Sequence, residues 1–108
     1  MGISQIDHPI IQKPFEFDII GFNLDCSSFD ESEHSLTITF RKNEIIKKLK
    51  FIEPKEISIE KGFPTPTRGL VIWDISNQQL EDINIQVADI EASHGALNFY
   101  AKDVIEIN

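Results

Sequence analysis

Four side chains carry the donor atoms that zinc and other transition metals prefer, namely His8, Cys26, His34 and His94. Structural zinc sites hold their ligands in close pairs, such as two cysteines or two histidines a few residues apart. None of these four residues has such a neighbour in the sequence. We therefore predict no metal site, and no motif for another cofactor is present.

The residues that could supply a nucleophile lack the motifs that activate one. The sequence has no G-x-S-x-G elbow, no Cys–His signature and no glycine-rich phosphate loop. Cys26 is the single cysteine, so no internal disulfide is possible, and we interpret it as a free thiol at a strand end. His94 precedes Gly95 in a predicted turn, where histidine is common for conformational reasons. We therefore predict no catalytic residue and expect the protein not to be an enzyme.

Carboxylates near the ends of the predicted C-terminal strands form a third group. Asp74 ends one strand, Asp89 and Glu91 lie near the end of another, and Asp103 follows the last hairpin. If these strands are neighbours, the carboxylates could cluster and act as paired acids. A charged rim is the commoner arrangement, and we adopt it. Asp74, Asp89 and Glu91 are therefore candidate partner-binding residues.

A second acidic segment lies between Asp25 and Ser35, in a polar loop that contains Asp30, Glu31 and Glu33. The loop lacks the ligand spacing and central glycine of a calcium-binding loop, so we interpret it as solvated. Its three carboxylates join the candidate partner-binding residues.

Three aromatic residues could stack on a sugar or anchor a protein interface. Trp73 lies in the apolar segment 70–73 and is predicted to be core. Tyr100 should face outward if Phe99 points inward, because side chains alternate along a strand. Phe63 lies in a loop rich in glycine and proline and is expected to be exposed. Tyr100 and Phe63 are thus candidate interface anchors.

The elements that must position these residues are strands. The chain has nineteen isoleucines against six leucines and four alanines, and isoleucine, branched at Cβ, suits a pleated sheet. Apolar residues mostly alternate with polar ones, and no helical stripe of ten or more residues occurs. Around Gly21 the alternation changes phase, which predicts a β-bulge. Three lysines in the segment 45–52 are typical of a protected edge strand.

We predict one all-β domain over residues 1–108, with residues 1–14 as an extended lead-in. The architecture is an antiparallel β-sandwich or a flattened barrel of about seven to eight strands, with at most one short helical turn. The apolar pattern does not distinguish the sandwich from the barrel, and it does not show whether the chain is a monomer or a dimer.

Net charge and composition limit the classes of partner that we expect. The net charge is −8, which repels nucleic acid and favours either simple solubility or steering toward a basic protein. No apolar run is long enough to cross a membrane as a helix. The N-terminus lacks the pattern of a signal peptide, so we expect a cytoplasmic protein.

One stretch resembles a known group of proteins. Residues 68–76 read Arg-Gly-Leu-Val-Ile-Trp-Asp-Ile-Ser, and they are followed by Leu80-Glu81, Val87, Glu91 and Phe99-Tyr100-Ala101. This order resembles small acidic β-rich immunity proteins of bacterial polymorphic toxin systems, over about the C-terminal third of the chain. The resemblance implies an antidote that binds and blocks a toxin without catalysis.

Three functions remain open from the sequence. The first is a non-enzymatic, cytoplasmic protein-binding module with a basic partner, of which such an immunity protein is one example. The second is a small-molecule or carbohydrate-binding β domain, which requires Trp73 or Tyr100 to be exposed on a concave face. The third, less favoured, is a small β-fold enzyme whose Asp74, Asp89, Glu91 or His94 converge in a cleft.

Overall fold

The computed structural model describes residues 6–63, 69–90 and 96–107. These residues form nine strands and three single turns of 3-10 helix. The strands are β1 (Ile6–Asp7), β2 (Asp18–Asp25), β3 (Ser35–Lys42), β4 (Ile45–Ile52), β5 (Lys55–Ile59), β6 (Leu70–Asp74), β7 (Ile85–Asp89), β8 (Leu97–Ala101) and β9 (Asp103–Ile107). The turns are Pro14–Glu16, Glu31–Glu33 and Ser76–Gln78.

The strands form two antiparallel sheets, which confirms the all-β prediction and selects the sandwich over the barrel. The five-stranded sheet has the order β1-β6-β7-β8-β5, and the four-stranded sheet has the order β2-β3-β4-β9. The sequence predicted at most one short helical turn, and the structure has three single 3-10 turns, all in connections between strands. The short strand β1 lies in the expected lead-in and pairs with β6. None of the described helices is long and apolar enough to span a membrane.

Alternating side chains build the core between the two sheets. In β3, the side chains of Leu36, Ile38 and Phe40 are fully buried, while the threonines between them are half-buried on the other face. The sheets meet at Phe51 of β4 and Phe99 of β8, whose rings lie edge to face with centroids 5.0 Å apart. Edge-to-face packing is favourable for aromatic rings, so this contact ties one sheet to the other.

The predicted bulge at Gly21 is confirmed. Ile19 pairs with Phe40, whereas Gly21 pairs with Thr39, so Ile20 is the extra residue. A Cβ atom at position 21 would lie 3.0 Å from Oγ1 and 3.1 Å from Cβ of Thr39. Glycine thus lets β2 approach β3, and the bulge brings the apolar side chains that follow it back to the core face.

The predicted edge position of the lysine-rich strand is wrong. That strand is β4, and it lies between β3 and β9. Strand β6 has neighbours on both sides, although β1 covers only two of its residues. Alternation shows which face of a strand is buried, and it does not show which strand lies beside it.

We expect Phe51→Ala to lower the free energy of unfolding by about 3–5 kcal/mol, because it removes a fully buried ring and leaves a cavity between the sheets. Urea denaturation followed by circular dichroism measures the change. Phe29→Ala is the matched control, since Phe29 is fully exposed and its loss should cost less than about 0.5 kcal/mol. Equal effects of the two substitutions would contradict this core.

Candidate functional site

The most distinctive surface feature is the connection between β2 and β3, residues 26–34, called here the acidic loop. Asp30, Glu31 and Glu33, three predicted partner-binding residues, are exposed on it. Phe29 precedes them, and its side chain is fully exposed. A phenylalanine that is fully open to water next to three carboxylates gives this loop both an apolar anchor and a negative field.

Phe29 was missed by reasoning from the sequence. The predicted anchors were chosen near strands, and Phe29 stands inside a polar loop. The sequence does carry a signal that Phe29 is exposed, because no apolar residue lies within four positions of it on its C-terminal side. Without apolar residues after it in the sequence, the ring has few nearby side chains on which to pack.

Two aspartates give the acidic loop its shape. The Oδ1 atom of Asp25 accepts hydrogen bonds from the backbone N–H of Ser27 at 3.0 Å and from its hydroxyl at 2.7 Å. Asp30 repeats the arrangement with Ser32, at 3.0 Å and 2.7 Å. Short polar side chains that bond to the backbone two residues ahead stabilise turns. The turn Glu31–Glu33 is therefore capped by the side chain of Asp30.

His34 closes the base of the acidic loop. Its Nε2 atom donates to the carbonyl oxygen of Ser28 at 2.7 Å. The carbonyl oxygen of His34 in turn accepts from the backbone N–H of Glu53 at 2.9 Å, at the corner between β4 and β5. The loop is thus tied to itself and to the sandwich, and Phe29 lies in the segment between Ser28 and His34 that the first of these bonds closes.

The same hydrogen bonds keep the loop charged. The hydroxyl and then the backbone N–H of Ser32 hold the pKa of Asp30 below its usual range. The backbone N–H of Ser27, followed by its hydroxyl, lowers the pKa of Asp25. Hydrogen bonds to a carboxylate favour its ionised form. Both side chains therefore keep their negative charge to lower pH than a free aspartate.

Asp74 and Asp89 do not cluster, the alternative to the charged rim that the sequence left open. In the antiparallel pair of β6 and β7, Asp89 lies opposite Leu70 and Asp74 lies opposite Ile85. The two carboxylates are therefore at opposite ends of the ladder, about 13 Å apart along the strands. Glu91 and His94 lie outside the described residues. Asp74 and Asp89 are therefore too far apart to share a proton.

Asp74 lines a shallow cavity of about 390 Å³ with His8, Ser76, Lys102 and Asp103. The hydroxyl of Ser76 donates to Oδ1 of Asp74 at 2.6 Å, and this bond is the first cause of the lowered pKa of Asp74. The Nδ1 atom of His8 accepts from the backbone N–H of Ile10 at 3.1 Å. Serine therefore donates to the aspartate and not to a histidine base, which is not the order of a nucleophilic triad.

The described residues contain no group of three or more His, Cys, Asp or Glu side chains that could hold a metal ion. Cys26 is a free thiol exposed on the acidic loop.

The aromatic candidates occupy three different environments. Trp73 is only 9% exposed and belongs to a small cluster with Ile75 and Ala88, separate from the main core. Tyr100 faces away from the buried Phe99, as predicted, and packs half-buried against that cluster. The expectation that Phe63 is exposed is wrong, because its ring is half-buried and lies edge to face with Phe22 at 5.6 Å.

Comparison with known proteins supplies no relative: no family model matches the chain, no curated protein matches its sequence, and no solved structure matches it.

Trp73 should report its environment directly. Because its indole is almost wholly buried, we expect blue-shifted fluorescence and weak quenching by acrylamide in the folded protein. Unfolding in urea should shift the emission to the red and restore quenching. Emission typical of a solvated indole in the native protein would contradict the satellite cluster of Trp73, Ile75 and Ala88.

Ser32→Ala should raise the pKa of Asp30, because it removes the hydroxyl that contributes most to the lowered value. An NMR titration of the side-chain carboxyl carbon measures the shift, and Ser27→Ala is the matched control that should move Asp25 alone. A lowered pKa stabilises the fold above the unfolded pKa, and this contribution is lost as pH falls through the folded pKa. The stability difference between wild type and Ser32→Ala should therefore disappear at low pH. A difference that persists there would contradict the assigned cause.

Proposed function

We propose that this domain is a non-enzymatic protein-binding module that docks a basic protein through the acidic loop. The observation that carries the proposal is Phe29, a fully exposed ring beside Asp30, Glu31 and Glu33 on a loop held by its own hydrogen bonds. Large aromatic residues supply much of the energy of protein interfaces when they enter a pocket of the partner. A loop that is already shaped before binding also loses less conformational entropy on association.

Charge supports a basic partner. The chain carries a net charge of −8. Lys42 and Lys47 lie toward the β3–β4 hairpin, at the other end of these strands from the acidic loop, whereas Lys50 lies nearer to it and acts on Asp25. Lys42 is also paired with Glu16 at 2.7 Å and Lys47 with Glu106 at 3.6 Å. A negative surface accelerates encounter with a positive one, and salt screens the effect.

A cytoplasmic immunity protein that neutralises a basic toxin fits this proposal. Such a protein needs a docking surface and no catalytic group, and the resemblance in residues 68–101 favours this role. The carbohydrate-binding alternative draws less support, because it required Trp73 or Tyr100 to be exposed on a concave face, and Trp73 is buried while Tyr100 is half-buried against the Trp73 cluster. Asp74 and Tyr100 lie outside the acidic loop and are not part of the proposed anchor.

Site-specific photo-crosslinking tests the proposal. A photoreactive phenylalanine analogue at position 29 should capture a basic protein from extract of the source cells, and capture should fall as salt is raised. The same analogue at Leu80, which is exposed but far from the acidic loop in sequence, is the matched control. A second bait that carries Glu31→Gln and Glu33→Gln should capture the same protein more weakly.

Equal capture from positions 29 and 80 would contradict the proposed docking surface. Capture at position 29 that is indifferent to salt and to the two glutamine substitutions would instead contradict the charge-based choice of partner.

A further inference from the structure

We propose that the outer face of the four-stranded sheet binds an acidic peptide segment in an extended conformation. The residues that carry the proposal are Arg41 of β3 and Lys48 and Lys50 of β4, called here the cationic row. This inference does not depend on the proposed function, because the cationic row lies on a sheet face and Phe29 lies on the acidic loop.

Basic residues are concentrated in β3 and β4 of an otherwise acidic chain. These two strands contain no aspartate or glutamate, and they hold five of the ten basic residues, namely Arg41, Lys42, Lys47, Lys48 and Lys50. The edge role predicted for the lysines of β4 does not explain them, since β4 lies between β3 and β9. The concentration of positive charge therefore needs another explanation.

The cationic row shares one face and has no acidic partner there. Lys42 and Lys47 form ion pairs, whereas the three residues of the row form none with any described residue. The row points away from the core, because residues that alternate with it, such as Phe40 and Leu49, are fully buried. Like charges on one face repel each other, and an anion bound along the row would relieve that repulsion.

The register of β3 and β4 sets the spacing of the row. The outward-facing residue pairs that contain Arg41, Lys48 and Lys50 follow one another directly along the two strands. Successive outward pairs are about 6.8 Å apart, since a strand rises about 3.4 Å per residue. An extended peptide presents every second side chain to one side with the same repeat. Carboxylates at alternate positions of such a peptide can therefore meet the three cations in turn.

The surroundings of the two lysines suit carboxylates. On β3, Thr37 and Thr39 lie directly beside them, and their half-buried side chains carry hydroxyls that can donate to a carboxylate oxygen. On β9, Ile105 and Ile107 lie beside them on the other side. Apolar neighbours displace water and strengthen a charge pair. Arg41, which is exposed, offers the planar fork that binds a carboxylate through two hydrogen bonds.

Carboxylates at the margins of the face limit the width of the ligand. Asp18 and Asp25 occupy outward positions of β2, and Asp103 occupies one of β9. Neighbouring strands are about 4.8 Å apart, so a ligand wider than the two central strands meets these negative charges. A membrane surface or a nucleic-acid duplex is that wide, whereas a single extended peptide is not.

The aromatic residues argue against single-stranded nucleic acid, which is also narrow. Such strands bind largely by stacking their bases on exposed aromatic side chains. The aromatic residues of this sheet are Phe22, Phe40 and Phe51, and all three pack in or against the core. An acidic peptide needs no stacking surface, so it is the ligand that this face fits.

Two labelled peptides of identical composition test the spacing by fluorescence anisotropy with the full chain. One alternates glutamate with threonine, and the other holds the same residues in two blocks. At about 0.15 M salt, where the Debye length is about 8 Å, the alternating peptide should bind more tightly, and added salt should weaken its binding. Its binding should also shift the NMR signals of the Thr37 and Thr39 amides.

A pair of double variants tests the residues. Lys48→Gln with Lys50→Gln should weaken binding of the alternating peptide about tenfold, because two ion pairs are lost. Lys61→Gln with Lys102→Gln is the matched control, since it gives the same net charge and both lysines lie outside the four-stranded sheet. It should weaken binding by less than about twofold, because salt screens distant charges. Circular dichroism confirms that both variants are folded.

Three results would overturn the proposal: no binding of the alternating peptide, equal binding of the two peptides, or equal losses in the two double variants. Vesicles that contain phosphatidylserine and a single-stranded oligothymidine are the competing probes. Binding of either one through Lys48 and Lys50, without binding of the alternating peptide, would also overturn it.

The outcomes separate this proposal from the proposed function. Loss of peptide binding in the Lys48→Gln, Lys50→Gln variant with unchanged photo-crosslinking at position 29 supports two separate surfaces. Failure at position 29 with intact binding of the alternating peptide removes the proposed function alone.

Discussion

The contact between the inner faces of the two sheets is the constraint on which the rest of the structure depends. Phe51 and Phe99 meet there edge to face at 5.0 Å, and both rings are almost completely buried. A strand that is apolar on one face must turn that face to this contact, so its polar side chains point to the other. Strand β6 is apolar on both faces, and its outer side packs Val71 and Trp73 in the second cluster. A phase error in any strand would expose its apolar set, which is why β2 needs the bulge at Gly21.

This constraint also explains why the acidic loop stands apart. Loops cannot contribute to the alternating faces, and they run over the surface, where their backbone groups need other partners. For the acidic loop, Asp25 at the end of β2 supplies such a partner, as do Asp30 and His34 within the loop. The bonds that satisfy the backbone thus fix the positions of the carboxylates and of Phe29. Local structure and candidate function rest on the same few side chains.

The sequence predicts the features that depend on alternation along one strand. The β class, the bulge at Gly21 and the outward face of Tyr100 all follow from period-two patterns, and all are confirmed. The features that depend on neighbours in space were not accessible. The chain changes sheet three times, between β1 and β2, between β4 and β5, and between β8 and β9, and alternation carries no information about such crossings. For that reason the lysines of β4 were placed at an edge.

The features of the candidate site also divide into those that the sequence predicts and those that depend on neighbours in space. The acidic character of Asp30, Glu31 and Glu33 is visible in the sequence, because loop residues between two strands are exposed by default. The separation of Asp74 from Asp89 is not visible, because it depends on β6 and β7 being direct antiparallel neighbours, and the sequence does not show which strands are neighbours. Phe63 packs on Phe22 because residues distant in sequence meet in the fold.

The central claim is that the acidic loop is already ordered before any partner arrives. Backbone ¹⁵N relaxation of residues 26–34 in the free protein tests it most directly. We predict order parameters near ~0.85, close to those of the flanking strands β2 and β3. Values below about 0.6 across Phe29 to Glu33 would show a flexible segment that folds on binding, and would contradict a preformed docking surface.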